Sequence, residues 1–73
     1  MNRFERIRFE RGYTRKQVQH GAGISYPTIV RLETGVNKPT APIAKALADF
    51  YGMTVQELLG LEDEPSESVA AVA

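Results

Sequence analysis

The side chains best suited to specific contact crowd into one short run. Tyr26, Pro27, Thr28, Val30 and Arg31 supply two hydroxyls, two apolar surfaces and a guanidinium within six residues. Arg15 and Lys16 precede this run, and Asn37 and Lys38 follow it. The chemistry open to such a set is recognition rather than bond making. Base edges in the major groove of B-DNA present donors, acceptors and the thymine methyl in distinguishable patterns. The hydroxyls of Tyr26 and Thr28 can bond to those edges, Pro27 and Val30 can meet a methyl, and Arg31 can fork onto guanine or grip a phosphate. A helix with one Tyr and one Arg outward is ordinary by itself. Basic residues on both sides are what turn it toward a polyanion, because phosphate contacts supply register and much of the affinity.

Other chemistries lack their residues. The chain has no cysteine and one histidine, His20, so no thiolate, redox or histidine-cluster site is expected, and no metal or cofactor with it. No carboxylate pair stands at a catalytic spacing and no glycine-rich phosphate loop is present, so the sequence does not read as an enzyme. His20 reads as a solvent-facing helix residue. Seventy-three residues allow one small domain with a marginal core. The N-terminus MNRFERIRFE has no apolar leader run, and no apolar stretch is long enough for a bilayer; a cytoplasmic location is the expectation. The net charge of zero conceals an asymmetry. Residues 1–60 hold all nine Lys and Arg against five acids, a balance of +4, whereas residues 61–73 hold four acids and no base. A basic folded part suits a polyanion partner, although an acidic tail also serves solubility alone.

The elements that must position the candidate residues are helical. Asn2 with Glu5, Thr14 with Gln17, and Thr54 with Glu57 have capping-box spacing, while Ser25 and Thr40 cap helices that carry Pro27 and Pro42 in their first turns. Gly12, Gly35, Gly52 and Gly60 supply stops, and Gly23 a tight turn. Phe4, Ile7 and the stem of Arg11 form the inner stripe of the first helix; Val18 and Ala22 face inward from the second, with Ile24 plugging the corner. Ile29 and Leu32 do so from the third. The third helix, about residues 26–34, turns Tyr26, Pro27, Val30, Arg31 and Thr34 outward. Ile43, Ala46, Leu47 and Phe50, widened by Ala44, Ala48 and Tyr51, mark the fourth as the central helix, and Val55, Leu58 and Leu59 the fifth. The expected fold is all-α: a compact five-helix domain over residues 1–60 with a helix-turn-helix at residues 14–35, and a disordered acidic tail over residues 61–73.

From about Phe4 to Leu59 the chain resembles, without gaps, the Cro and phage-repressor helix-turn-helix family, also called XRE-type and lambda-repressor-like. The marks are Ile7-Arg8 before Gly12, then Thr14, Val18, Gly23-Ile24-Ser25, Thr28-Ile29, Arg31-Leu32-Glu33 and Gly35, closed by Pro39-Thr40 and Glu57-Leu58-Leu59. The resemblance implies a five-helix fold and a sequence-specific regulator of transcription that reads double-stranded DNA. It implies base reading by Tyr26, Pro27, Thr28 and Arg31, and phosphate holding by Arg15, Asn37 and Lys38. It also implies an ion pair between Arg8 and Glu33. Three positions depart from the family pattern. Arg15 replaces a usual Gln, Gln19 replaces an Ala at a place where the two helices approach closely, and Tyr26-Pro27 makes the first reading turn more apolar than usual.

A second reading stays open: an antitoxin-like or adaptor protein whose main role is to bind a protein partner, with exposed Phe9 and outward Val30 as contacts. Phe9 lies off the first helix's stripe, so it is either a scattered surface aromatic or part of such an interface. A homodimer is open too, through the fifth helix, nearby apolar residues or the DNA itself. The terminal VAAVA reads either as a plain disordered end or as a degradation signal.

Overall fold

Five helices pack around one apolar core in the computed structural model, which describes residues 2–61. They are α1 (Arg3–Glu10), α2 (Arg15–Ala22), α3 (Tyr26–Glu33), α4 (Ala41–Tyr51) and α5 (Val55–Leu59). Each begins where the sequence places a cap. The side chains of Asn2, Thr14, Ser25, Thr40 and Thr54 accept the backbone N–H three residues on, satisfying a donor that the first turn cannot. At Thr14 and Thr54 the reciprocal half of the box is also made, by Gln17 and Glu57.

The helix ends divide into two kinds. In α1, α3, α4 and α5 a left-handed glycine is followed by a residue whose N–H reaches back five positions: Tyr13 to Arg8 O, Val36 to Arg31 O, Met53 to Ala48 O and Leu61 to Gln56 O. This is the Schellman closure. Leu61, placed by the sequence in the tail, thus closes the cap of α5. Helix α2 ends on the simpler bond from Gly23 N to Gln19 O (3.0 Å), and the chain passes through Ile24 directly to the Ser25 cap of α3. The shorter ending makes the turn between α2 and α3 tight. The expected tail beyond Leu61, including VAAVA, lies outside the described residues.

The main helix contacts run in a closed ring: α1 on α3, α3 on α2, α2 on α4, α4 on α5 and α5 back on α1. Inside it sit Ile7, Val18, Ile24, Ile29, Leu32, Ala44, Leu47, Ala48 and Leu58. Val18 and Leu58 are wholly enclosed, and burial of a side chain of this size contributes about 1.5–3 kcal/mol. Helix α4, which the sequence marks as central, is the longest; it packs against both α2 and α5 and buries Ala44, Leu47 and Ala48. Arg11 departs from expectation. It is exposed, and its Cζ stands 5.8 Å from the centroid of the Tyr51 ring rather than in the inner stripe of α1.

Two contacts fix the ring at places with no local sequence signal. Gly21 lies against Phe50 so closely that a Cβ there would fall 2.0 Å from the ring's Cε1. Gly21 thus marks a tight approach of α2 to α4, while Gln19 is half-buried. Arg3 donates to Leu58 O (2.9 Å) and Glu57 O (2.8 Å), tying α1 to the carbonyl end of α5, where a cation is favoured. Tyr13, Phe50 and Tyr51 cluster beside these contacts in tilted and edge-on arrangements, with centroids 4.8 Å (Tyr13–Phe50), 5.3 Å (Phe50–Tyr51) and 6.1 Å (Tyr13–Tyr51) apart. Burial there pushes the Tyr51 phenol up to about 12.

Candidate nucleic-acid interface

Helix α3 presents its candidate residues by simple periodicity. Ile29, Leu32 and Glu33 are buried, which holds one face of the helix to the domain. Tyr26, Pro27, Arg31 and Thr34 are exposed, and Thr28 and Val30 are half-buried at the edges. Pro27 and Arg31 stand four residues apart and share a side of the helix. The Thr28 hydroxyl is already in use, lying 2.7 Å from Ser25 Oγ within the cap. Any base that Thr28 meets must share that oxygen.

Beneath α3 lies a buried charge cluster. Arg8 donates from Nε to Glu33 Oε2 (2.7 Å) and from Nη2 to Glu33 Oε1 (3.0 Å), a fork that suits the planar guanidinium. Its Nη1 donates to Tyr13 O (3.0 Å). Arg8 is 6% and Glu33 5% exposed, so each charge depends on the other for compensation. The hydrogen bond to Glu33 raises the pKa of Arg8 despite burial. The Phe9 ring, with its centroid 4.6 Å from Arg8 Cζ, covers the cluster from the solvent side.

Arg15 joins this cluster, a feature that spacing alone did not disclose. Its Nε donates to Glu33 Oε1 (2.9 Å), and its Nη2 lies 3.7 Å from Glu5 Oε2. The hydrogen bond to Glu33 raises its pKa, with a smaller contribution in the same direction from the Tyr26 hydroxyl. Arg15 is therefore not a free cation at the start of α2. Lys16 beside it is exposed, as are Asn37 and Lys38 after α3.

Sorting the cations by what they touch separates structure from surface. Arg3, Arg8, Arg11, Arg15 and Lys45 are engaged with carbonyls or carboxylates of the domain. Among the described residues Arg6, Lys16, Arg31 and Lys38 form no ion pair or hydrogen bond through their side chains, and the last three lie in α3 or in the segments before and after it. Also among the described residues, no group of His, Asp and Glu side chains is arranged to hold a metal, and no helix is long and apolar enough to cross a membrane.

A helix-turn-helix family profile matches residues 4–58. The chain belongs to that family. This helix-turn-helix chain is 35% identical over 71 residues to the HTH-type transcriptional regulator DdrOP3 of Deinococcus deserti, covering 96% of this chain and 55% of that protein. It is 32% identical over 53 residues to the cryptic phage CTXphi transcriptional repressor RstR of Vibrio cholerae, covering 73% of this chain and 48% of that protein. The chain thus spans about half the length of the curated relatives it matches. No solved structure gives a significant match. The XRE-type resemblance stands on the same residues, and the five helices agree with that membership.

Proposed function

We propose that the chain is a sequence-specific double-stranded DNA-binding regulator of transcription, Cro- or repressor-like, which lays α3 in the major groove. The observation that carries this reading is the set of unpartnered cations. Lys16, Arg31 and Lys38 are held by no acid among the described residues, and they border the exposed face of α3, whose outward side chains are chemically varied. Tyr26, Pro27, Thr28, Val30 and Arg31 then meet base edges, and Arg15, Lys16, Asn37 and Lys38 meet phosphates on either side. The amino end of α2 adds its positive dipole to Lys16. The names of both relatives describe regulators of transcription, which supports the same assignment. Such a protein works in the cytoplasm, on bacterial or phage DNA.

The adaptor reading draws less support. Phe9 is 53% exposed but its ring already meets the Arg8 guanidinium, and Val30 is half-buried, so each has a contact within the domain. A homodimer on a two-fold operator would place its half-sites about one helical turn, roughly 34 Å, apart. The test is selection of bound sequences from a random duplex pool, followed by footprinting of the DNA upstream of the gene. A single enriched motif protected in the footprint is the expected result. Enrichment of no sequence would overturn the reading.

A further inference from the structure

We propose that the acidic segment at residues 62–67 docks on the groove between the start of α1 and the end of α5, and there competes with DNA for Lys38. The competition rests on the reading of Lys38 as a phosphate contact; the docking does not. The groove has a volume of about 480 Å³ and brings together three stretches that are distant in the chain. Phe4, Pro39, Leu59 and Leu61 give it apolar walls, and Arg3 and Lys38 give it positive charge. Leu61 is 41% exposed, so part of that apolar surface is left uncovered. The N–H of Leu61 is held by Gln56 O at 2.9 Å, which fixes the point from which the chain continues.

Reach and charge select the occupant. Residue 62 follows directly on a lining residue, and each residue after it extends the reach by up to about 3.3–3.6 Å. Residues 62–67 read EDEPSE, four acids and no base, with Pro65 as an apolar contact for the walls. Lys38 is exposed and has no acid beside it among the described residues. Arg3 gives Nε and Nη2 to Leu58 O and Glu57 O, which leaves the N–H groups of Nη1 for a carboxylate. A second copy is the poorer fit, because residues 1–60 carry a balance of +4 and would bring like charge to these cations. Tethering raises the local concentration of the acids to the order of millimolar, so a contact too weak for a free peptide still forms. An acid on Lys38 neutralises the charge that a phosphate would meet, and DNA must displace it. The cost falls on every sequence alike, since phosphates carry no sequence information.

The experiment compares the wild-type chain with a variant of equal length carrying Glu62→Gln, Asp63→Asn, Glu64→Gln and Glu67→Gln, each with and without Lys38→Ala. The chain has no cysteine, so a spin label on Ser66→Cys is unique. In the free protein the label should broaden the NMR resonances of Phe4 and Leu59, and neutralising the acids should weaken that broadening. Equal broadening in both proteins is what tethering alone gives, and overturns the docking whatever the protein binds. Broadening that arises only between separately labelled chains would put a second copy in the groove and overturn it too. Each protein is then titrated with the selected duplex and with a scrambled duplex of equal length. Neutralisation should raise both affinities about fivefold at low salt, by less as salt rises, and leave their ratio unchanged. In the Lys38→Ala background it should raise neither. A gain of full size in that background would mean general repulsion between acids and DNA, and overturns the competition for Lys38. Weakened broadening with no gain on either duplex would instead overturn the assignment of Lys38 to phosphate, while the docking stands.

Discussion

Glu33 serves two arginines, but not equally. Arg8 is buried with it, whereas the Arg15 side chain is 29% exposed and keeps water as an alternative partner. Removing one member of a buried pair leaves an uncompensated charge, at a cost of about 3–5 kcal/mol; removing an exposed partner costs about 1 kcal/mol or less. Glu33→Gln should therefore lower stability by about 3–5 kcal/mol, a large share of what a domain this size possesses. Arg15→Ala should cost about 1 kcal/mol or less, because Arg8 still holds Glu33 from two sides. Urea denaturation of both variants checks the contrast, and equal losses would mean that the cluster is not anchored on Arg8. The reach of the sequence can be judged at these residues. Arg8 with Glu33 came from the family pattern; the entry of Arg15 did not, since it depends on how α2 is set against α1 and α3.

Between elements, legibility follows the range of the interaction. Every cap was visible because its two partners lie three residues apart, and the stops were visible as glycines placed after apolar stripes. The ring was not, because it is closed by Gly21 against Phe50 and by Arg3 against the end of α5, pairs separated by much of the chain. Gly21→Ala tests the first of these. Alanine gains about 1 kcal/mol of helix propensity over glycine, while overpacking a filled site costs about 1–3 kcal/mol. With a Cβ at 2.0 Å from the ring the second effect should win, for a net loss of about 1 kcal/mol. In a Phe50→Leu background the same alanine should be neutral or stabilising, and a thermal melt of the four proteins reads the coupling. Tyr51, in the same cluster, adds a pH dependence. A phenol raised to about 12 stays neutral in the fold after the unfolded chain begins to ionise near pH 10, so stability is full below pH 10 and falls as pH rises toward 12. Partial exposure limits the effect to about 1 kcal/mol. Tyr51→Phe should remove that component from stability measured between pH 9 and 11.5.

At the scale of the whole molecule the charges do two separate things. The engaged arginines close the ring, and the unpartnered cations leave a field around α3. Net charge alone could not disclose this division, because it weighs Arg8 and Lys38 alike. Only the packed helices show that one is enclosed and the other open. Their effects on DNA should differ in kind. Each phosphate neutralised by a cation releases counterions, so log affinity falls with log salt by about 0.9 per contact. Lys16→Ala and Lys38→Ala should each weaken all duplexes alike and flatten that slope by about 1. Arg31→Ala, at a base edge, should cost about 1–3 kcal/mol on the selected duplex alone and relax preference at one base pair. Anisotropy titrations of the three variants across a salt series separate the outcomes. Were Arg31→Ala to weaken scrambled and selected duplexes equally, Arg31 would be a phosphate contact, and sequence reading would fall to Tyr26, Pro27, Thr28 and Val30.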